Sequence, residues 1–221
     1  MLVSFITTQT NAQLSLGVKA GLNLSNMTVS GYTGVTESSR MSFHAGAILD
    51  YSFSKSFILE SGLVLSGKGA NFDLNIFSNG ATTITLASTL SPLYIEMPIN
   101  AVYKVDIKPA KLLIFAGPYF ALAVSGNRTN EYSATGLPAG TTLATLGLNN
   151  ESIGLKFGTD ANSDMRSFDM GLNFGAGIEY SNFLFRLQYG LGLSNLNPTT
   201  SNNEVLKNNV FGISVGYMFG K

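Results

Sequence analysis

Two long alternating segments near the C-terminal end, residues 168–180 and 183–193, constrain the fold more than any other part of the sequence. Apolar side chains occupy every second position of FDMGLNFGAGIEY and again of FLFRLQYGLGL. Alternation of period two predicts β-strands, because successive side chains of a strand point to opposite faces. The polar link Ser181-Asn182 between the segments predicts a tight antiparallel hairpin.

The length of these strands points to a membrane. Each has about eleven to thirteen residues, whereas strands of soluble proteins usually have about five or six. A tilted strand of roughly 9–11 residues crosses the hydrocarbon core of a bilayer. Only 12% of the residues are charged, against about 25% in typical soluble domains. A soluble barrel with an apolar interior would have to expose the glycine-rich, charge-poor face to water, so the membrane orientation is favoured.

The same alternation recurs along the chain and predicts an all-β fold, an eight-stranded antiparallel up-and-down transmembrane β-barrel. Short turns and long polar loops alternate between the strands, as in outer-membrane barrels with tight periplasmic turns and longer external loops. Aromatic residues flank every short turn, as an interfacial girdle requires. The predicted strands are residues 14–24, 41–53, 57–69, 93–105, 111–125, 168–180, 183–193 and 210–221.

The N-terminal segment, two prolines and one long loop do not fit the simple pattern of strands and turns. Residues 1–12 resemble the end of a signal peptide, with cleavage after Ala12, which leaves residues 13–221 as the barrel domain. Pro98 and Pro118 fall inside predicted strands, where each removes a ladder donor, so we expect bulges there. The loop of residues 126–166 is too long for a plain connection, and TTLATLGL and SIGLKF within it are expected to extend two strands beyond the membrane.

The face opposite the apolar one carries glycine and nearly balanced charge. An eight-stranded barrel is only wide enough for its own side chains, and an unpaired buried charge costs several kcal/mol. The pattern therefore predicts a structural network of paired lumen charges; a proton or ion path is the alternative. The predicted network consists of Lys19, His44, Asp50, Glu60, Lys68, Glu96, Lys104, Asp169, Glu179 and Arg186.

Taken together and in order, several segments resemble the PorT-like outer-membrane β-barrel proteins of Gram-negative bacteria. The resemblance covers nearly all of residues 13–221 and rests on GVKAGLNLSNM, FHAGAILDYSFSKSFILESGLVLSGKGA, LYIEMPI, AGPYFALAVSG, FDMGLNFGAGIEY, LQYGLGLSNL and NNVFGISVGYMFGK. It implies an eight-stranded outer-membrane barrel of a kind often described as porin-like. Gly216, Tyr217 and Phe219 resemble the C-terminal signal read by the barrel-assembly machinery, although two further residues follow the aromatic here.

The sequence offers little for catalysis or metal binding. It has no cysteine and a single histidine, His44, so neither a metal site nor a cofactor is expected. Some small outer-membrane barrels transfer lipid acyl groups with a His, a Ser and a carboxylate, and here His44 with Ser42 or Ser66 is the one candidate arrangement. A histidine in a polar lumen network is the favoured interpretation.

The leading hypothesis is a non-enzymatic outer-membrane anchor or interaction scaffold that contacts a ligand or partner through its external loops, above all residues 126–166. The second is a porin-like channel for small solutes or ions, and the third is a lipid-modifying enzyme. Expected partners are outer-membrane lipid, the barrel-assembly machinery during insertion and an unknown protein. Net charge is zero, so no nucleic acid is expected.

Overall fold

The computed structural model describes residues 13–31, 34–199 and 204–219, so the predicted residual signal peptide, residues 1–12, lies outside the described residues. Within these ranges the chain is built from antiparallel strands. No helix in the described ranges is long and apolar enough to span a membrane. The strands are β1 (Gln13–Ser30), β2 (Val35–Ser38), β3 (Arg40–Ser52), β4 (Phe57–Gly67), β5 (Ala70–Ser78), β6 (Thr83–Asp106), β7 (Lys111–Thr135), β8 (Glu151–Gly154), β9 (Phe168–Tyr180), β10 (Phe183–Gly192) and β11 (Val205–Met218).

Eight of these strands close into a ring. The order is β1, β3, β4, β6, β7, β9, β10, β11, and β11 returns to pair with β1. Closure leaves no strand of the ring with an open edge, which hydrocarbon demands because no water is present there to bond free backbone groups. The predicted eight-stranded up-and-down barrel is confirmed.

The remaining strands lie where the sequence predicted loops. β6 and β7 run as one hairpin from the turn at residues 107–110 out to the pair Thr83 and Thr135. β5 pairs with the outer part of β6, β2 pairs with β5, and β8 pairs with the outer part of β7. Strands thus continue beyond the ring at the end with long connections, which we call the external end.

The loop predictions need correction accordingly. SIGLKF contributes to β8, whereas TTLATLGL holds only a 3-10 turn, Ala144–Leu146, and forms no strand. The extension of β7 instead comes from residues 126–135. The polar loops expected between the other predicted strands likewise contain all of β2 and parts of β1, β5, β6 and β11. These outer segments are rich in Thr, Ser and Asn, so the strong apolar alternation of the membrane part is missing from them.

The two faces of the ring have the predicted polarity. Leu22 and Ile213 are paired across β1 and β11 and both are more than half exposed on the outside. Their neighbours Asn23 and Ser214 are buried on the inside. Apolar side chains therefore meet lipid, and small or polar side chains fill the lumen.

Glycines on the inner face make room for aromatic rings. Gly171 is paired with Tyr119, and Gly175 with Phe115, on the neighbouring strands β9 and β7. A Cβ atom on Gly171 would lie 2.6 Å from Cε1 of Tyr119, and one on Gly175 would lie 2.6 Å from Cζ of Phe115. Larger residues at these two positions would have to displace the rings.

The expected bulges at the two prolines are absent. The β6–β7 register is the same on both sides of Pro98, and Pro118 is paired in register with Leu172. The ladder loses pairs beside Pro98 without gaining a residue, and the Pro98 carbonyl accepts a hydrogen bond from the Ser61 hydroxyl at 2.9 Å. The register shift between β6 and β7 lies at Leu93 and Tyr94 instead. A missing donor is thus tolerated by leaving ladder positions unpaired.

Aromatic side chains gather at the end with short turns, which corresponds to the periplasmic end. The rings of Phe57 and Tyr103 lie 4.9 Å apart, and those of Phe183 and Tyr217 lie 5.2 Å apart. All four are exposed on the outside of the ring. This is the placement expected of an interfacial girdle.

Candidate functional site: the barrel lumen and its external mouth

All ten residues of the predicted lumen network are buried. Period-two alternation directs them inward from six strands of the ring and from the position just after β4. The structure brings nine of them into hydrogen bonds or ion pairs, and one, Lys19, takes part in no salt bridge of the described chain. The ten are Lys19, His44, Asp50, Glu60, Lys68, Glu96, Lys104, Asp169, Glu179 and Arg186.

Arg186 and Glu60 join opposite walls of the barrel. β10 and β4 lie four places apart in the ring of eight strands. The Nη2–Oε2 distance is 2.6 Å, and Nη1 donates to Oε1 at 2.7 Å. The Asn100 amide also donates to Oε1, at 3.4 Å, and the guanidinium carbon lies 5.1 Å from the centre of the Phe115 ring. This pair therefore crosses the full width of the lumen.

Lys68 is the centre of a second cluster nearer the external end. Its Nζ lies 2.8 Å from Oε2 of Glu96 and 3.1 Å from Oδ2 of Asp169. The same ammonium lies 4.0 Å from the centre of the Tyr119 ring, a cation–π contact. Asn208 donates to Asp169 at 3.0 Å. One cation thus links β6, β9 and, through Asn208, β11.

A third cluster lies near the periplasmic end. Lys104 Nζ is 2.7 Å from Oε2 of Glu179 and 3.6 Å from Oδ2 of Asp50. Lys111, which is half-exposed, approaches the other oxygen of Glu179 at 3.7 Å. An apolar layer lies at the same end of the lumen and is formed by Ile48, Ile58, Val102, Leu113, Phe115, Leu184 and Met218.

The middle of the lumen leaves one small polar cavity of about 10 Å³, lined among others by Lys19, His44 and Gln188. About 10–15 Å³ is the space that one water molecule needs. His44 Nδ1 is 2.7 Å from Oδ1 of Asn23, and its Nε2 is buried without a hydrogen-bond partner. The cavity can therefore hydrate Lys19 and His44 but is far smaller than a solute.

The arrangement gives no support to acyl transfer. A hydroxyl nucleophile must lie within hydrogen-bond reach of its base. Ser42 instead donates to the carbonyl of Gly67 at 2.7 Å, and Ser66 accepts from the Asn23 amide at 3.3 Å. In the part of the chain that the structure describes, no group of three or more His, Asp or Glu could hold a metal ion.

The external mouth of the lumen was not predicted from the sequence. An apolar cluster closes the lumen above the Lys68 group and is formed by Met27, Ala70, Leu155, Met165 and Leu196. Beyond it opens a cavity of about 260 Å³, here called the mouth cavity, lined by Val29, Phe72, Leu74, Leu86, Leu90 and Leu206 together with Ser88, Arg128 and Asp164. The sequence signal that could have revealed it is the spacing of Leu86, Ser88 and Leu90. They occupy every second position and would share one face if the predicted loop were a strand.

A second external feature lies at the far tip of the extended strands. It is an open groove of about 520 Å³, here called the tip groove, between the end of the β5–β6 hairpin and the segment 137–148. The groove is lined mainly by Ile76, Phe77, Ile84, Leu137, Leu146 and Leu148. Segment 137–148 belongs to the loop that the sequence marked for partner contacts.

The three residues of the predicted assembly signal lie at the end of β11. Gly216 is paired with Leu184 and Lys19. Tyr217 faces outward, with its ring 5.3 Å from that of Phe219. Both aromatics are exposed on the outside of the ring at the end with short turns, and the role of the three residues as a signal stays a prediction.

A closed ring with an apolar outside and a charged inside defines the class, an integral β-barrel of the outer membrane. The sequence matches the family described as outer membrane protein beta-barrel domain over residues 8–197. The chain belongs to this family, and its location is the cell outer membrane. No curated protein matches the sequence.

The solved structures that match this chain are distant from it in sequence. Ail, the attachment invasion locus protein of Yersinia pestis, is 14% identical, with 93% of this chain and 98% of that chain covered and a TM-score of 0.40. Neisserial surface protein A is 13% identical, with 94% and 99% covered and a TM-score of 0.40. The N-terminal β-barrel domain of Pseudomonas aeruginosa OprF is 11% identical, with 91% and 97% covered and a TM-score of 0.30.

Proposed function

We propose that the chain is a non-enzymatic outer-membrane scaffold whose barrel anchors an external platform that binds a partner protein. The observation that carries the proposal is the tip groove. Phe77 is 46% exposed and Leu146 is 47% exposed, although both lie beyond the membrane-spanning ring. Exposed, contiguous apolar surface on such a platform marks an interaction site.

The lumen supports an anchoring role. Arg186 and Glu60 bridge opposite walls, and Lys68 bridges to Asp169. A conducting path would require these contacts to open, at a cost of several kcal/mol for each charge left unpaired. Membership among the PorT-like proteins, and contacts of Gly216, Tyr217 and Phe219 with the assembly machinery, are finer parts of the same proposal.

Site-specific crosslinking tests the scaffold. A photoreactive amino acid in place of Phe77 should give a discrete adduct in intact cells, whereas the same group at Glu37 on exposed β2 should not. Adding Leu146→Asp to the Phe77 variant should abolish the adduct, because the carboxylate disrupts the apolar groove. Heat-dependent gel mobility of the unboiled protein would show that the barrel still folds. No adduct at Phe77, an equal adduct at Glu37, or an adduct that survives Leu146→Asp would contradict the proposal.

The competing function is passage of small solutes or ions. Planar-bilayer recordings and liposome swelling distinguish it from a scaffold. We expect no reproducible current and no swelling with the unaltered protein, since the lumen cavity is of about 10 Å³. Reproducible step currents would assign the protein to the channels instead.

A further inference from the structure

The mouth cavity is built differently from the tip groove and lies elsewhere. It occupies the external end of the lumen, where side chains of β1, β5, β6 and β11 converge on an apolar floor that includes Met27 and Leu196. Most of its lining is aliphatic or aromatic, and the charged side chains among the lining residues are Arg128 and Asp164. A concave apolar pocket with few polar groups is the usual form of a small-molecule site.

We infer that the mouth cavity binds a medium-chain fatty acid, with the alkyl chain in the apolar pocket and the carboxylate on Arg128. This inference goes beyond the scaffold function, because it uses residues that take no part in the tip groove. It concerns a ligand that reaches the barrel from outside the cell.

The volume sets the size of the ligand. An engineered apolar cavity of about 150 Å³ binds benzene. In the same proportion, the 260 Å³ of the mouth cavity accommodates an apolar group of about ten carbon atoms. A single alkyl chain of this length fits, whereas a lipid with two or more long acyl chains does not.

Arg128 supplies the complement to a carboxylate. Its Nη1 donates to Oδ1 of Asp164 at 2.9 Å, and about a third of its side chain is exposed, so part of the guanidinium is open at the cavity wall. Guanidinium pairs with carboxylate in a planar, two-bond geometry and stays protonated at any ordinary pH. A ligand carboxylate can therefore accept a hydrogen bond from the exposed part of the guanidinium.

Asp164 does not exclude a second carboxylate from this position. Its Oδ1 is taken by Arg128, and its Oδ2 accepts the backbone N–H of Lys156 at 2.8 Å. Both oxygens of Asp164 are thus engaged, and the exposed N–H groups of the guanidinium that do not contact Asp164 remain for the ligand. An uncharged alcohol of the same chain length would fill the pocket but could not pair with this charge.

Cysteine labelling tests the inference directly. The native chain has no cysteine, so Ser88→Cys in the cavity wall gives a unique reporter, and Thr36→Cys on exposed β2 gives the matched control. The protein is reconstituted into phospholipid vesicles and reacted with a membrane-impermeant maleimide, with and without decanoate. At decanoate about nine times above its dissociation constant, the rate at Ser88→Cys should fall about tenfold. The rate at Thr36→Cys should not change.

Two further comparisons separate the head group from the chain. Decanol should protect Ser88→Cys less well than decanoate does. Arg128→Gln should raise the half-protecting decanoate concentration by about tenfold or more, the usual value of a hydrogen bond to a charged group, and leave that of decanol unchanged. Leu86→Cys, which lines the same cavity, serves as a second reporter if Ser88→Cys fails to show heat-dependent gel mobility.

Several results would overturn the inference. They are unchanged labelling with decanoate, equal protection of Thr36→Cys, equal protection by decanol in the native background, or no effect of Arg128→Gln. A folded protein whose cavity cysteines do not react even without decanoate would also overturn it, because the cavity would then be closed to ligands from water. Loss of the Phe77 adduct would leave this result untouched, so the two proposals fail separately.

Discussion

Two arginine–carboxylate pairs, one in the membrane-spanning lumen and one in the external mouth, have similar lengths and different surroundings. Arg186 and Glu60 lie 2.6 Å apart, with side chains that are 4% and 0% exposed. Arg128 and Asp164 lie 2.9 Å apart, with side chains that are 35% and 18% exposed. Because water screens the second pair and not the first, distance alone does not tell how much each contributes to stability.

The same contrast runs along a single strand, β6. In the membrane, Ile95 faces outward and Glu96 is buried inside. Beyond the membrane, the inner face carries Leu86 and Leu90, which line the mouth cavity. Thr89, on the opposite face, bonds with Asn71 of β5 at 3.0 Å. The polarity of the strand inverts because its outer face meets lipid in one half and water in the other.

The largest effect is expected from breaking the lumen pair. Arg186→Met should destabilise the barrel by about 3–5 kcal/mol, because it leaves the Glu60 carboxylate buried without its cation. The double variant Arg186→Met, Glu60→Gln should recover most of the loss, since no unpaired charge remains. Urea unfolding in lipid vesicles, followed by gel mobility of unboiled samples, measures both. A single variant as stable as the native protein would show that water reaches this pair.

A smaller effect is expected from placing a charge on the two outer faces. Ile213→Arg, on the lipid-facing side of β11, should cost about 2–4 kcal/mol if the residue lies at the bilayer midplane. Thr89→Arg, on the outer face of β6 beyond the membrane, should cost less than about 1.5 kcal/mol, the usual value of the hydrogen bond to Asn71 that it removes. The same unfolding assay compares them. Equal losses in the two variants would mean that the polarity inversion does not mark the membrane boundary.

The sequence was sufficient to predict the ring and its two faces. Alternation such as that of residues 168–180 predicts that the segment is a strand, which of its side chains face outward and how long it is. The membrane removes the ambiguity because the lipid-facing side must be apolar. The inward positions of Lys68 and Arg186 follow from the same alternation. Their partners do not, because Glu60 and Arg186 are 126 residues apart in sequence and meet only when the ring closes.

The external half was predicted less well for a related reason. In residues 83–90, TITLASTL also alternates, but Ser88 interrupts the apolar set, and Leu86 and Leu90 of that set face inward. Without lipid to fix the outer face, such a pattern is equally typical of a polar loop. The mouth cavity and the tip groove were therefore missed, although both are lined by residues whose alternation is visible once the strand is assumed.

The smallest effect is expected from breaking the external pair of Arg128 and Asp164. It tests whether a partly exposed pair contributes less to stability than the buried one. Asp164→Asn removes one charge of a partly exposed pair, so the loss of stability should be about 0.2–1 kcal/mol. Arg128 stays hydrated after the change because about a third of its side chain is exposed, so no buried charge is left without a partner. Unfolding of Asp164→Asn beside Arg186→Met, under identical conditions, gives the ratio of the two losses. If Asp164→Asn cost as much as Arg186→Met, burial would not be what distinguishes the two pairs, and the mouth would have to be as dry as the lumen.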